Sequence, residues 1–393
     1  MEKYVCKDCI SDDAVEDFIS KEAVSSHCDY CDRVVEFESI AASLSDVARF
    51  IAEGFYAEWS NPDDESIPWD SEDGRYMVPT CDTYDLLEKY LDLEDELRHD
   101  LIANLPDHDW CQANPLRLSK DEAWDSEWEE FCEQLKHETR YVFYRVEPEK
   151  RDSDDELRTP YEILETIEGF VREYDLVHTI TEGTVIVRAR PHKEDEEYSK
   201  VEALGPPPKE KAKYSNRMSP AGIPMFYGSD LESTTLTEIE ENEFATVADF
   251  TTLKPFRVLD LNRIPELPSL FDQQLNHQRP AIRFLHLFQS DLAKPVEKDG
   301  REHIEYVPTQ VVTEYFRRVF RDTDGEPIRG IIYPSSRHEG GKSYVLFFVS
   351  ENFTQDDRDD GTSAEKWLSM NTASVRRVDL RARMPPPPVG KLF

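Results

Sequence analysis

The sequence predicts a multidomain protein with an N-terminal zinc knuckle and α-helical domain followed by a C-terminal α+β domain. Two Cys-x2-Cys pairs open the chain, apolar residues then recur at three- and four-residue steps to about residue 140, and past a charged stretch the pattern turns to short strands. The ranges read this way are 1–35 for the knuckle, 36–146 for the helical domain, 147–175 for a charged linker and helix, 176–384 for the α+β domain and 385–393 for a proline-rich tail.

Composition narrows the function. A chain of 393 residues has room for two or three cores. Its 83 acidic against 46 basic residues give a formal charge of -37, which argues against nucleic-acid binding through a general basic surface. An acid-rich, lysine-poor surface fits concentrated salt as well as it fits an ordinary acidic protein, and self-association stays open. No apolar run reaches the ~18–20 residues that a membrane span needs. The start, MEKYVCKDC, is charged and lacks the apolar core of a signal peptide, and seven cysteines suit a reducing cytoplasm better than a disulfide framework.

In the knuckle, Cys6-x2-Cys9 and Cys28-x2-Cys31 can present four thiolates to zinc in a tetrahedron. A redox dithiol or plain buried cysteines would be the alternatives. With cysteine closing both pairs there is no open ligand position, so the metal would be structural, and His27 a bystander. Asp12, Asp13, Glu16, Asp29 and Asp32 around the pairs count against a nucleic-acid-binding ribbon. Helical faces follow, first Ile40, Leu44, Val47, Phe50, Ile51 and Phe55, then Leu86, Leu87, Tyr90, Leu91, Leu97, Leu101 and Ile102. A third begins with a capping box, Ser119 and Glu122, and runs through Trp124, Trp128, Phe131 and Leu135, whose tryptophans read as core. Cys81, Cys111 and Cys132 have no companion at metal spacing and read as buried thiols. Arg172-x5-His178 has a nuclease-like spacing but falls where a helix gives way to a strand, and reads as coincidence.

Glu147–Leu157 is nearly all charged and reads as a solvated linker, and Thr159-Pro160 opens a helix with Ile163, Leu164, Ile167, Phe170 and Val171 on its face. Thr184–Val187 is the first clear strand and ends in Arg188-Ala-Arg190. Between Gly205 and Arg217 four basic residues face one acid, a local reversal suited to phosphate oxygens. Arg217, Tyr227 and Glu238 then stand ten and eleven residues apart around a Gly222-Ile-Pro224 turn. A cation, a phenol and a carboxylate so placed could hold an anionic, ring-bearing substrate. Phe256–Leu261 alternates as a strand, Val311, Val312, Tyr315, Phe316, Val319 and Phe320 form a helical face, and Val375–Arg383 reads as a last strand before Pro385–Pro388. No Walker loop and no GxGxxG occurs.

The segment Arg217-Met-Ser-Pro-Ala-Gly222-Ile-Pro224-Met-Phe-Tyr227 resembles the signature of the RES domain, which usually reads Gly-Arg-Trp-Asn-x-x-Gly-x-Pro-x-Leu-Tyr. Here Asn216, Met218 and Ser219 depart from it. Glu238 falls where the family's glutamate lies, Tyr306-Val-Pro-Thr309-Gln310 resembles its Thr-Gln helix start, and Gly330-Ile-Ile-Tyr333-Pro334-Ser335 the strand ending in its serine. Gly340 and Gly341 before the apolar strand Tyr344–Val349 complete a resemblance over about residues 178 to 350. The N-terminal part looks like the HEPN-type domain that precedes some RES domains.

The resemblance implies an α+β domain like ADP-ribosyltransferases that degrades NAD as the toxin of a toxin–antitoxin pair. It would be a glycohydrolase or phosphorylase with water or phosphate as acceptor, and its partner a protein antitoxin. Glu238 would stabilise charge on the ribose, and Arg217, or Arg188 in its place, would hold the pyrophosphate. Tyr227 would stack on nicotinamide, and Ser335 would hydrogen-bond the ribose or the amide. A protein ADP-ribosyltransferase and a non-catalytic nucleotide sensor remain as alternatives.

Overall fold

A computed structural model describes residues 2–145, 161–239, 242–295, 300–356 and 365–381. The linker Glu147–Leu157, the Thr159-Pro160 helix start and the Pro385–Pro388 tail lie outside those residues. Two compact units emerge, Met1–Ala123 with Glu266–Phe284, and Trp124–Pro265 with Leu285–Phe393. Compactness thus divides the chain at other places than composition does.

In the first unit, β1 (Tyr4–Cys6) and β2 (Ala41–Ser43) pair antiparallel around α1 (Asp13–Glu22). Asp12 caps α1 by accepting from the amides of Ala14 and Val15, which satisfies two of the helix's free N–H groups. The helices α2 (Leu44–Phe55), α3 (Thr83–Tyr90) and α4 (Asp95–Ile102) follow. Four two-residue strands, β3 (Trp59–Ser60), β4 (Trp69–Asp70), β5 (Arg75–Tyr76) and β6 (Cys111–Gln112), pair β3 with β6 and β4 with β5. The core joins Val47, Ile51 and Phe55 to Leu86, Leu87, Leu97, Leu101, Trp110 and Phe271.

Several expectations need correction in detail. Ile40 precedes β2 and is not part of α2. The face read from Leu86 to Ile102 is two helices, because Leu91–Glu94 is extended and sends both Leu91 and Leu93 inward past exposed Asp92. The first strand after the linker is Val177–Ile180, an edge strand whose His178 and Thr179 blur the apolar alternation. The capping box is formed, with Ser119 N donating to Glu122 Oε2 at 2.8 Å at the start of α5 (Lys120–His137).

The second unit is built on a mixed ten-stranded sheet. In chain order its elements are α6 (Glu162–Glu173), β7 (Val177–Ile180), β8 (Val185–His192), α7 (Val201–Leu204), β9 (Phe226–Ser229), α8 (Glu232–Thr237), β10 (Phe244–Thr252), β11 (Phe256–Asp260), the part of α9 (Arg279–Ala293) from Leu285 on, α10 (Glu302–Glu305), α11 (Val307–Arg318), β12 (Gly330–Pro334), β13 (Lys342–Leu346), β14 (Phe353–Gln355), β15 (Leu368–Met370) and β16 (Arg376–Asp379). The strands run β14-β15-β10-β8-β9-β13-β12-β11-β7, with β16 also on β10. Arg188 and Arg190 lie inside β8, not at its end. Phe226, Phe250, Val258, Ile332, Leu346 and Phe353 fill one face of the sheet.

Helix α2 approaches Phe271 closely at Gly54, where an added Cβ would collide with the phenylalanine ring and sit 3.1 Å from its Cα. Overpacking of this kind costs about 1–3 kcal/mol. Gly54→Ala is therefore expected to lower the urea midpoint by that amount of stability, with an unchanged m-value.

Candidate active site

The sheet nearly parts between β8 and β9. These strands pair at Val187↔Ser229 alone, although continued register would set Ala189 opposite Tyr227. At that gap the Arg188 guanidinium donates to Tyr227 O at 2.8 Å, putting a cation where backbone pairing stops. The parted strands enclose a cavity of about 130 Å³ lined by Ala189, Tyr227, Ser229, Thr235, Glu238, Tyr333 and Ser343, among others.

Register explains the lining. On β13, Ser343 lies opposite both Ser229 and Tyr333, and Val345 opposite both Tyr227 and Ile331. Cross-strand partners share a face and side chains alternate with period two, so Tyr227, Ser229, Tyr333 and Ser343 all turn to one side. Phe226, Ile332 and Leu346 turn to the other and enter the core. Close approach of the strands needs glycine at two points. A Cβ on Gly228 would lie 2.7 Å from Ile186, and one on Gly330 2.6 Å from Leu346.

Helix α8 closes the cavity. Leu236 packs with Val187, Ala245 and Val247, and Thr235 Oγ1 donates to Val187 O at 3.1 Å. Glu238 caps the C-terminal end of α8 and is exposed at the cavity's lip. Ser335, one residue past β12, donates from Oγ to Glu238 Oε1 at 2.7 Å. The loop from Ser335 to Gly341 is laid on α8, since Thr234 Oγ1 lies 2.8 Å from His338 Nδ1 and a Cβ on Gly341 would meet both groups.

Arg217 is placed differently. It sits in a tight turn closed by the Asn216 and Ser219 backbones, and its guanidinium donates to Leu292 O at 3.0 Å and to Lys294 O. With Tyr306 it lines two larger hollows, of about 520 and about 700 Å³. Helix α11 pins this turn. Thr309 Oγ1 donates to Arg217 O at 2.5 Å, Gln310 Nε2 to Asn216 O at 2.8 Å, and Met218 is buried against Thr313. Ser219 Oγ in turn lies 2.9 Å from the Tyr227 hydroxyl.

Electrostatics tie these groups together. Burial raises the Tyr333 phenol, Arg217 opposes that rise, and Tyr227, Glu238 and Tyr306 add to it, so four groups act on one hydroxyl. Burial pushes Tyr227 up to about 12 against the pull of Ser219, the Met218 backbone, Arg188 and Arg217. Burial, helped by Arg190, lowers Arg188 to about 10, which leaves it cationic at neutral pH.

Residues 21–149 match the family model for HEPN/RES N-terminal domain 1, and residues 186–366 match that for the RES domain. The chain is a RES-domain protein with a HEPN/RES N-terminal domain. No curated protein and no solved structure matches it. A RES domain supports an NAD-related, toxin-like activity in general terms. Among the described residues no helix is long and apolar enough to cross a membrane.

Within the RES domain the structure brings Tyr227 and Glu238 to one cavity, Ser335 onto Glu238 and Arg188 onto the Tyr227 carbonyl, while Arg217 lies outside that cavity and lines two other hollows. Tyr333, Tyr306 and Ser343 are absent from the set read from the sequence. Tyr333 was within reach of it, because it stands two residues before Ser335 on a strand and so shares its face. Arg172, of the nuclease-like spacing, is engaged by Glu168 and by Arg321 O.

The HEPN/RES side carries the four-cysteine cluster. Sulfur separations are 3.7 Å for Cys6 and Cys9, 3.6 Å for Cys6 and Cys31 and 3.7 Å for Cys9 and Cys28, and all four lie within 4.8 Å of one another. A tetrahedron with metal–sulfur bonds of about 2.3 Å requires about 3.8 Å between sulfurs, so this donor set could bind zinc. Burial alone would raise the Cys28 thiol, yet amides of Tyr30, Cys6 and Cys31 directed at it lower it overall.

The raised Tyr227 phenol has a consequence at high pH. Between its ordinary 10 and about 12 the unfolded chain gives up this proton before the folded one, so its contribution to stability is full below pH 10 and declines as pH rises towards 12. In urea titrations at pH 9 and pH 11, Tyr227→Phe is expected to lose less stability over that interval than the parent.

Proposed function

We propose that the RES domain cleaves NAD between nicotinamide and ribose, as a glycohydrolase using water or a phosphorylase using phosphate, and that the chain acts as a toxin or defence effector restrained by a protein antitoxin. The observation that carries this reading is the single cavity lined by Tyr227, Tyr333 and Glu238, with the Ser335 hydroxyl on the carboxylate.

A cavity of about 130 Å³ suits one heteroaromatic ring between two phenols, not a whole dinucleotide. The nicotinamide would enter there, and the phosphates would lie towards the hollows lined by Arg217 and Tyr306. Departure of nicotinamide leaves positive charge on the ribose, and a carboxylate fixed beside that carbon favours the transition state over the ground state. Glu238 is that carboxylate. Ser335 positions it through the 2.7 Å hydrogen bond, and neither residue is asked to act as a covalent nucleophile. Arg188, anchored on Tyr227 O, keeps the phenol strand in place and adds positive potential. Zinc in the Cys6, Cys9, Cys28 and Cys31 cluster would be structural, with no open position and no part in the reaction.

Incubation of the purified chain with NAD, with and without phosphate, tests the reading by chromatography of the products. Free nicotinamide with ADP-ribose or its phosphate ester is the expected outcome, whereas labelled protein would shift the assignment to protein ADP-ribosyl transfer. Glu238→Gln should slow nicotinamide release by ~10²–10³-fold with an unchanged circular dichroism spectrum. Full-rate turnover in that variant would sink the mechanism. For the metal, the purified chain should carry zinc at one equivalent, and Cys28→Ser should lose it together with a drop in melting temperature of the N-terminal unit.

A further inference from the structure

A second cavity, of about 370 Å³, lies elsewhere in the RES half and is lined by four arginines, Arg317, Arg318, Arg321 and Arg329, with Phe347 and Ile328 among its apolar walls. Such clustering runs against the chain's formal charge of -37. Like charges this close repel, and a folded protein keeps them together at a cost unless an anion offsets it. Among the described residues no carboxylate pairs with them directly, and Glu365 acts on Arg329 only from a distance, its own ion pair being with Lys254. The nearby Asp322 and Asp324 are both taken by Arg257. Glu314 acts on Arg317 from a distance, but burial and Arg318 outweigh it and lower Arg317 overall.

The helix end accounts for only part of the cluster. Arg317 and Arg318 occupy the last turn of α11, where cations complement the helix carbonyls. Arg321 lies beyond the helix and Arg329 precedes β12, so neither has that role. Two of the guanidiniums are held over rings, Arg317 at 5.9 Å from the Phe347 centroid and Arg329 at 4.9 Å from that of Trp367. This fixes planar donors around a concave apolar floor, an arrangement that matches phosphate oxygens in pairs. The cavity is also remote from the candidate active site. Arg329 and Ser335 flank β12 at opposite ends, about 20 Å apart at ~3.3 Å per residue. The volume falls at the lower end of small-molecule sites.

We propose that this cavity binds a small molecule bearing two or more adjacent phosphoryl groups. Its occupant is separate from the NAD of the proposed reaction, and the inference does not depend on that reaction. Calorimetric titration of the full chain with inorganic pyrophosphate, adenosine diphosphate, sulfate and adenosine tests it. Pyrophosphate and adenosine diphosphate should bind while sulfate and adenosine do not. A tighter diphosphate nucleoside would identify a nucleotide site, and equal affinities an inorganic or generic diphosphate site, both within the proposal. Arg318 and Arg321 are exposed. The double variant Arg318→Ala/Arg321→Ala should therefore fold and, made in an Arg217→Ala background that removes the phosphate contact proposed for NAD, weaken pyrophosphate binding at least tenfold relative to Arg217→Ala alone. No binding, sulfate binding as tight as pyrophosphate, or undiminished pyrophosphate binding in the Arg318→Ala/Arg321→Ala variant would each overturn the assignment.

Discussion

The candidate site depends on a ladder that stops early. Strands β8 and β9 share one residue pair, Val187 and Ser229, before they part. A continued ladder would have brought Ala189 against Tyr227 and closed the 130 Å³ cavity that both residues line. A buried strand left without its neighbour exposes polar backbone, which is costly unless something else supplies the hydrogen bonds. Arg188 does so at Tyr227 O, and α8 does so through Thr235 at Val187 O. The same two substitutions that make the gap tolerable put a guanidinium behind the phenol and bring Glu238 to the lip.

Register along β13 then decides which side chains see the gap. A slip of one residue would turn Tyr227, Tyr333 and Ser343 into the apolar core and Phe226, Ile332 and Leu346 out of it. Burial of those three apolar residues therefore holds the phenols in place. Burial also sets their chemistry, because removing a phenol from water favours its neutral form. Two protonated hydroxyls beside an exposed carboxylate can donate hydrogen bonds without adding a second negative charge near it.

Much of this was legible in the sequence, for local reasons. The capping box at Ser119, the paired CxxC spacings and the alternation of Phe256–Leu261 are short-range patterns; the box and the cysteine cluster are present, and Phe256–Asp260 is a strand that ends one residue early. What escaped was set by partners distant in sequence. Val177–Ile180 becomes a strand because β11 pairs with it, not because V-H-T-I alternates. Leu91–Glu94 breaks a helical face because extended backbone carries Leu91 and Leu93 into the core together. Helix α9 carries a local signal of the short-range kind, with Ile282, Phe284, Leu285 and Phe288 buried at helical steps. Tyr333 shows the limit for sites, since its strand and face follow from the sequence but its place beside Glu238 needs the sheet order.

The two motif segments around Arg217 and Thr309 are 92 residues apart, yet they form one device. Arg217 has five N–H donors on a rigid plane, and carbonyls of Leu292 and Lys294 occupy some of them, which orients the plane without consuming it. Orientation would mean little if the turn beneath could move. Thr309 and Gln310 prevent that by binding the carbonyls of Arg217 and Asn216, so the first turn of α11 clamps the backbone that carries the guanidinium. Met218, where the RES pattern usually has tryptophan, is fully buried beside Thr313 and fixes the turn from below. Departures at Asn216, Met218 and Ser219 thus leave the support intact, and Ser219 gains a contact to the Tyr227 hydroxyl that ties the arginine turn to the phenol strand. A cation held this way need not reorganise to meet the phosphate proposed for it, which is the condition under which electrostatic groups are most effective.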